Sequence, residues 1–87
     1  MLRVTLEKSR RIEPDKKNIV EYLKKGTEVA AAPGFVRDQV TQSRTPIALY
    51  AYSDGVFEWT SHEIYHVENY DYQLPQPFLE YIRDHIH

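Results

Sequence analysis

The apolar positions of this chain recur with a period of two in some stretches and of about 3.6 in others, and one long stretch obeys neither. Leu2, Val4 and Leu6 alternate with Arg3, Thr5 and Glu7, which predicts a short strand. Ile19, Val20 and Leu23 then fall at helical spacing. Pro14 and Asp15 suit the positive start of a helix and Lys24 and Lys25 its negative end, with Gly26 read as a left-handed cap, so a helix is expected over 15–25. Further on, two alternating runs flank Asp54-Gly55, a pair that favours a two-residue reversal, and predict a hairpin with strands 48–53 and 56–59. Such a turn sets Tyr52 opposite Phe57 and Tyr50 opposite Trp59. Tyr50, Tyr52, Phe57 and Trp59 then share one face, and Leu49, Ala51, Val56 and Glu58 the other. Thr60 or Ser61 caps a helix over 61–70. Leu74-Pro75-Gln76-Pro77 interrupts the chain, and Phe78, Leu79, Ile82 and Ile86 form the apolar stripe of a last helix over 76–86. Residues 27–46 show no period: Ala30 to Gly34 ends in a turn signal, Phe35, Val36 and Val40 fit a short strand or an irregular segment, and Gln42 to Pro46 fits a loop. The expected fold is a single α+β domain over 1–87. It has a small antiparallel sheet that includes the hairpin, packed by its aromatic face against about three helices.

Length and composition sharpen this picture. A chain of 87 residues makes one domain with a thin core, burying roughly 60–65% of its unfolded surface. Cysteine is absent, so packing alone must hold it, and an aromatic content of 13% supplies large side chains for that purpose. No apolar run approaches a membrane span and no secretory leader follows Met1, so a cytoplasmic protein without membrane association is expected. Net charge is only −2, yet residues 1–44 carry ten of the eleven Lys and Arg with six acids, leaving that half at +4 and the other at −6. Either the two halves fold against each other, or Arg10, Arg11, Lys16, Lys17, Lys24 and Lys25 form a basic patch for an anionic partner such as nucleic acid.

Asp54-Gly55-x-Phe57-x-Trp59, then Tyr65, Val67 and Tyr70, then Leu74-Pro75-x-x-Phe78 resembles the ending of a group of small, uncharacterised bacterial proteins. In that group a DGxWxWP-like string leads into a Tyr-rich helix and an LPxxF helix start. The resemblance covers residues 54–78, with Thr60 where the group has Pro, and extends loosely to the 15–26 helix. It implies this architecture and a bacterial source, and carries no activity and no site residue.

His62-Glu63-Ile64-Tyr65-His66 matches H-E-x-x-H, in which two histidines one helical turn apart bind zinc and the glutamate acts on the metal-bound water. Glu68, Glu80, Asp84, His85 and His87 are candidate third ligands. Against this, the histidines project away from Ile64 on a helical wheel, so an inward Ile64 and Val67 would turn them to water, and His62 sits at the helix start. No cofactor is therefore expected. Glu58 and Glu63 as a catalytic carboxylate pair are outweighed by a plain outer-face role for Glu58.

The tyrosines of the second half lie among acids, which repel phosphate and disfavour base stacking, whereas Tyr beside carboxylates suits a protein surface. The functional expectation is a non-enzymatic accessory or interaction protein, a monomer or weak homodimer. It would bind another protein through exposed Tyr65, Tyr70 and Tyr72, with Glu68 and Asp71 steering. A small zinc hydrolase using His62, Glu63 and His66, and nucleic-acid binding by the basic half, are the alternatives.

Overall fold

A computed structural model describes residues 2–86 of the chain. In order, its elements are β1 (Leu2–Arg3), α1 (Lys16–Lys24), β2 (Thr27–Arg37), β3 (Arg44–Ser53), β4 (Phe57–Thr60), α2 (Ser61–Tyr70) and α3 (Gln76–His85). The four strands form one sheet in the order β1-β4-β3-β2, and the fold is α+β. The sheet is mixed, a correction to the antiparallel expectation: β1 runs parallel to β4, with Leu2 N donating to Val56 O at 2.9 Å and Val4 N to Glu58 O at 2.8 Å. Alternation at 2–6 marks a strand but says nothing about its direction.

The hairpin forms with its register displaced by two residues. Asp54 Oδ1 accepts from Val56 N at 2.9 Å and Phe57 N at 2.7 Å, which draws Gly55 (φ 97°) and Val56 into the reversal. Tyr52 now faces Trp59 and Ser53 faces Glu58. A shift of two preserves the side on which each residue lies, so the aromatic face survives the wrong register. Trp59 is fully buried, its ring 5.3 Å from Phe78 and 6.1 Å from Tyr22, and its Nε1–H donates to Leu23 O at 3.0 Å. Phe57 lies 4.6 Å from Phe78, while among the described rings Tyr50 meets only Tyr52, at 6.5 Å. Val4, Ile19, Val20, Leu23, Ile64, Val67, Leu74, Leu79 and Ile82 complete the core between sheet and helices. Burying such side chains is worth roughly 1.5–3 kcal/mol each.

Gly26 follows α1 as expected but for another reason. It does not take the left-handed conformation; a Cβ there would stand 2.6 Å from Trp59 Cζ2 and 3.1 Å from Tyr52 Cβ. The glycine leaves room for the indole.

Residues 27–46, unreadable as a pattern, contain the longest strand. β2 pairs antiparallel with β3 through repeated register shifts, one of them spanning Ala32, Pro33 and Gly34, and within β2 only Val36 is buried. Alanine, proline and glycine carry no strand signature, and a ribbon with both faces largely in water needs no alternation. The segment 7–11 runs beside 71–73: Glu7 N and Arg11 N donate to Gln73 O and Asp71 O, each at 2.9 Å, and Gln73 N donates to Ser9 O at 3.1 Å. Among the described residues no helix is long and apolar enough to cross a membrane.

Candidate functional site

α2 is built from its first turn. Thr60 Oγ1 accepts from His62 N at 3.2 Å, and the Glu63 carboxylate reaches back to Thr60 N at 3.0 Å and accepts from Thr60 Oγ1 at 3.1 Å, a reciprocal capping box. Ser61 Oγ donates to Ala48 O at 2.8 Å and accepts from Tyr50 N at 3.1 Å, tying the helix start to β3. The glutamate of the H-E-x-x-H string is thus a helix cap. Burial pushes its carboxyl above the usual range, against the opposing pull of the Thr60 hydrogen bonds.

The histidines were expected in water; His66 is instead 1% exposed. The turn 38–43 between β2 and β3 covers that side of α2, and its distance in sequence hid the contact. Gln39 N donates to His66 Nε2 at 2.9 Å, so Nε2 is unprotonated and Nδ1 carries the hydrogen that meets His62 O at 2.8 Å. Both nitrogens are occupied and no lone pair remains for a metal. His62 is half-buried, its ring 4.3 Å from that of His66; burial first, and the second imidazole next, depress its pKa. It borders a cleft of about 460 Å³ shared with Arg3, Leu6, Lys8, Gln39 and Tyr72. Among the described residues no three His, Asp or Glu side chains converge as a metal site. Of the candidate third ligands, Glu68 pairs with Lys24 at 2.7 Å, His85 stacks on Tyr81 with its Nδ1 2.7 Å from Tyr81 O, and His87 lies outside the described residues.

The organising group of this region is Asp38, which the sequence reading passed over. It is buried; Oδ1 accepts from Val40 N at 2.8 Å and Thr41 N at 2.9 Å, and Oδ2 accepts from the hydroxyls of Tyr65, at 2.7 Å, and Tyr70. Burial pushes the carboxyl up, but the Tyr70, Thr41, Tyr65 and Val40 donors together outweigh it and hold it well below the carboxylate range. The same contact pushes the Tyr65 phenol up to about 12. An aspartate at the mouth of a turn, able to accept from amides two and three residues on, was the available signal.

Of the expected protein-binding residues, Tyr65 and Tyr70 therefore meet on Asp38, half-buried. Tyr72 lies beneath Arg10, 4.9 Å from its ring centroid, in a connection covered by segment 7–11. Asp71 (φ 58°) caps α2 and pairs with Lys16 at 2.7 Å, as Glu68 does with Lys24. These bridges also break up the basic patch: Arg10 stacks, Arg11 lies 3.6 Å from Glu13, and Lys16 and Lys24 are paired across to the acidic half.

Comparison with family models, with curated proteins and with solved structures finds no match to this chain.

Proposed function

We propose that this is a non-enzymatic interaction protein that binds another protein, with the β2–β3 ribbon as its contact surface. One observation above others supports this: Val29, Phe35, Val40 and Ile47 are large apolar side chains left exposed on β2, β3 or the turn between them. Large apolar side chains left in water along one ribbon suit a surface that a partner covers. The Tyr-rich half is the weaker surface, because its hydroxyls and charges already have partners within the chain. The catalytic alternative loses its groups to a helix cap and a backbone amide.

A photo-crosslinking phenylalanine analogue placed at position 35 or at position 72 tests the assignment in host cells. A discrete adduct from position 35 alone is expected. An adduct from position 72 alone returns the contact to the Tyr-rich half, and none from either removes protein binding at both surfaces.

A further inference from the structure

Arg37 and Arg44 are cross-strand partners where β2 and β3 meet the connecting turn. Like charges set directly opposite destabilise a strand pair. Among the described residues neither arginine has a carboxylate within ion-pair distance, whereas Arg3, Arg11 and Arg83 each do. Arg37 Nη1 donates to Gln42 O at 2.9 Å, and the Arg44 guanidinium lies 6.0 Å from the centroid of the exposed Phe35 ring. Two guanidinium groups without a carboxylate partner and an aromatic ring thus share a small patch at the end of the ribbon, where the connecting turn carries exposed Val40. A local rule broken without an opposite charge to offset it is characteristic of a functional surface. Guanidinium groups are weakly hydrated and their forked donors match a carboxylate, so they are suited to a contact from which water is removed. Nucleic acid fits less well: only two cations stand here, Glu28 lies on the same strand, and the chain is net −2.

Building on the ribbon as contact surface, we propose that Arg37 and Arg44 clamp carboxylates of an acidic segment of a partner protein, whose apolar residues cover Phe35 and Val40. The recognised chemistry is Asp or Glu within a few residues of Leu, Ile or Phe.

A random peptide library displayed on phage and selected on the full chain tests this. A synthetic peptide of the selected consensus is then titrated into the wild type, the R37Q/R44Q double variant and Phe35→Ser. Acid-rich peptides with apolar neighbours are expected. Their affinity should fall about tenfold or more in R37Q/R44Q and weaken with added salt, since charged contacts at an interface are costly to truncate. The double variant should melt no lower than the wild type, because it removes a like-charge pair; this separates lost binding from lost folding. Peptides without acidic enrichment that still require Phe35 overturn the clamp and leave the ribbon surface standing. Selection of no peptide that depends on residue 35, 37 or 44 overturns both.

Discussion

Gly26 and His66 show how much a single position can carry. Gly26→Ala would force a methyl against the indole of Trp59, 2.6 Å away, in a core with no slack. Overpacking of this kind costs about 1–3 kcal/mol, a drop in melting temperature of about 4–8 °C per kcal/mol in a domain of this size, readable by thermal denaturation. His66→Phe fills the same space but leaves the Gln39 amide facing carbon. An orphaned buried donor costs about 1–3 kcal/mol, and hydrogen exchange at Gln39 should accelerate beyond that global loss. His62→Ala should cost less, because that ring is half-exposed and touches mainly His66. A zinc site would behave otherwise: either substitution would abolish a stabilisation by added zinc that, with Nε2 of His66 occupied, is not expected in the wild type. At this scale the sequence was legible in type and not in environment. Tyr52, Phe57 and Trp59 were placed towards the core correctly because alternation needs only neighbours, whereas Tyr50, expected beside them, stays outside the core cluster. The burial of His66 depends on a turn more than twenty residues away, and the motif match said nothing about it.

Among the elements, α2 was the most legible, since Thr60, Glu63 and the interruption at Leu74-Pro75 are all local signals of where a helix begins and ends. The ribbon was the least legible: its bulged pairing and Pro33-Gly34 break the alternation on which a strand is recognised. What joins the two elements is Asp38, and that junction has a pH signature. Because the folded carboxyl is held below its ordinary value near 3.8, the unfolded chain takes up the proton first as the solution is acidified. The contribution is complete above that value and is lost as pH falls below it towards the folded value. Asp15, through its Arg83 bond, and Asp54, where the Tyr22 and backbone donors overcome burial, are depressed too and add to the same acid loss. Urea midpoints measured from neutral pH downward should therefore decline on acidification. Asp38→Asn, which keeps an acceptor and discards the charge, should start lower and decline less steeply. An unchanged acid slope in the variant would show that the Tyr65–Asp38–Tyr70 junction is not maintained in solution.

Across the whole molecule, the lopsided charge read from the sequence has a structural use. The basic and acidic halves are joined by Lys16–Asp71, by Lys24–Glu68 and by the Arg83 fork, which meets Asp15 at 2.9 Å and Glu13 at 2.6 Å. These contacts are not equal. Lys24–Glu68 is exposed on both sides and should change stability by less than about 0.5 kcal/mol on Lys24→Ala, whereas Arg83 holds two carboxylates and Arg83→Leu should cost about 1 kcal/mol. A double-mutant cycle of Arg83→Leu with Asp15→Asn measures the coupling directly. Charge counts revealed the imbalance but not which residues would meet, because pairing follows from the fold. The path of the opening segment has a consequence of its own. Leu2 and Val4 bond to Val56 and Glu58, and Ser9 Oγ donates to Gln73 Oε1 across a separation of 64 residues. Val4 is buried only once β4, more than fifty residues further along the chain, stands beside it. Closure over such distances is slow, so refolding followed by Trp59 fluorescence in a stopped-flow instrument should lag behind that of a helical bundle of equal length.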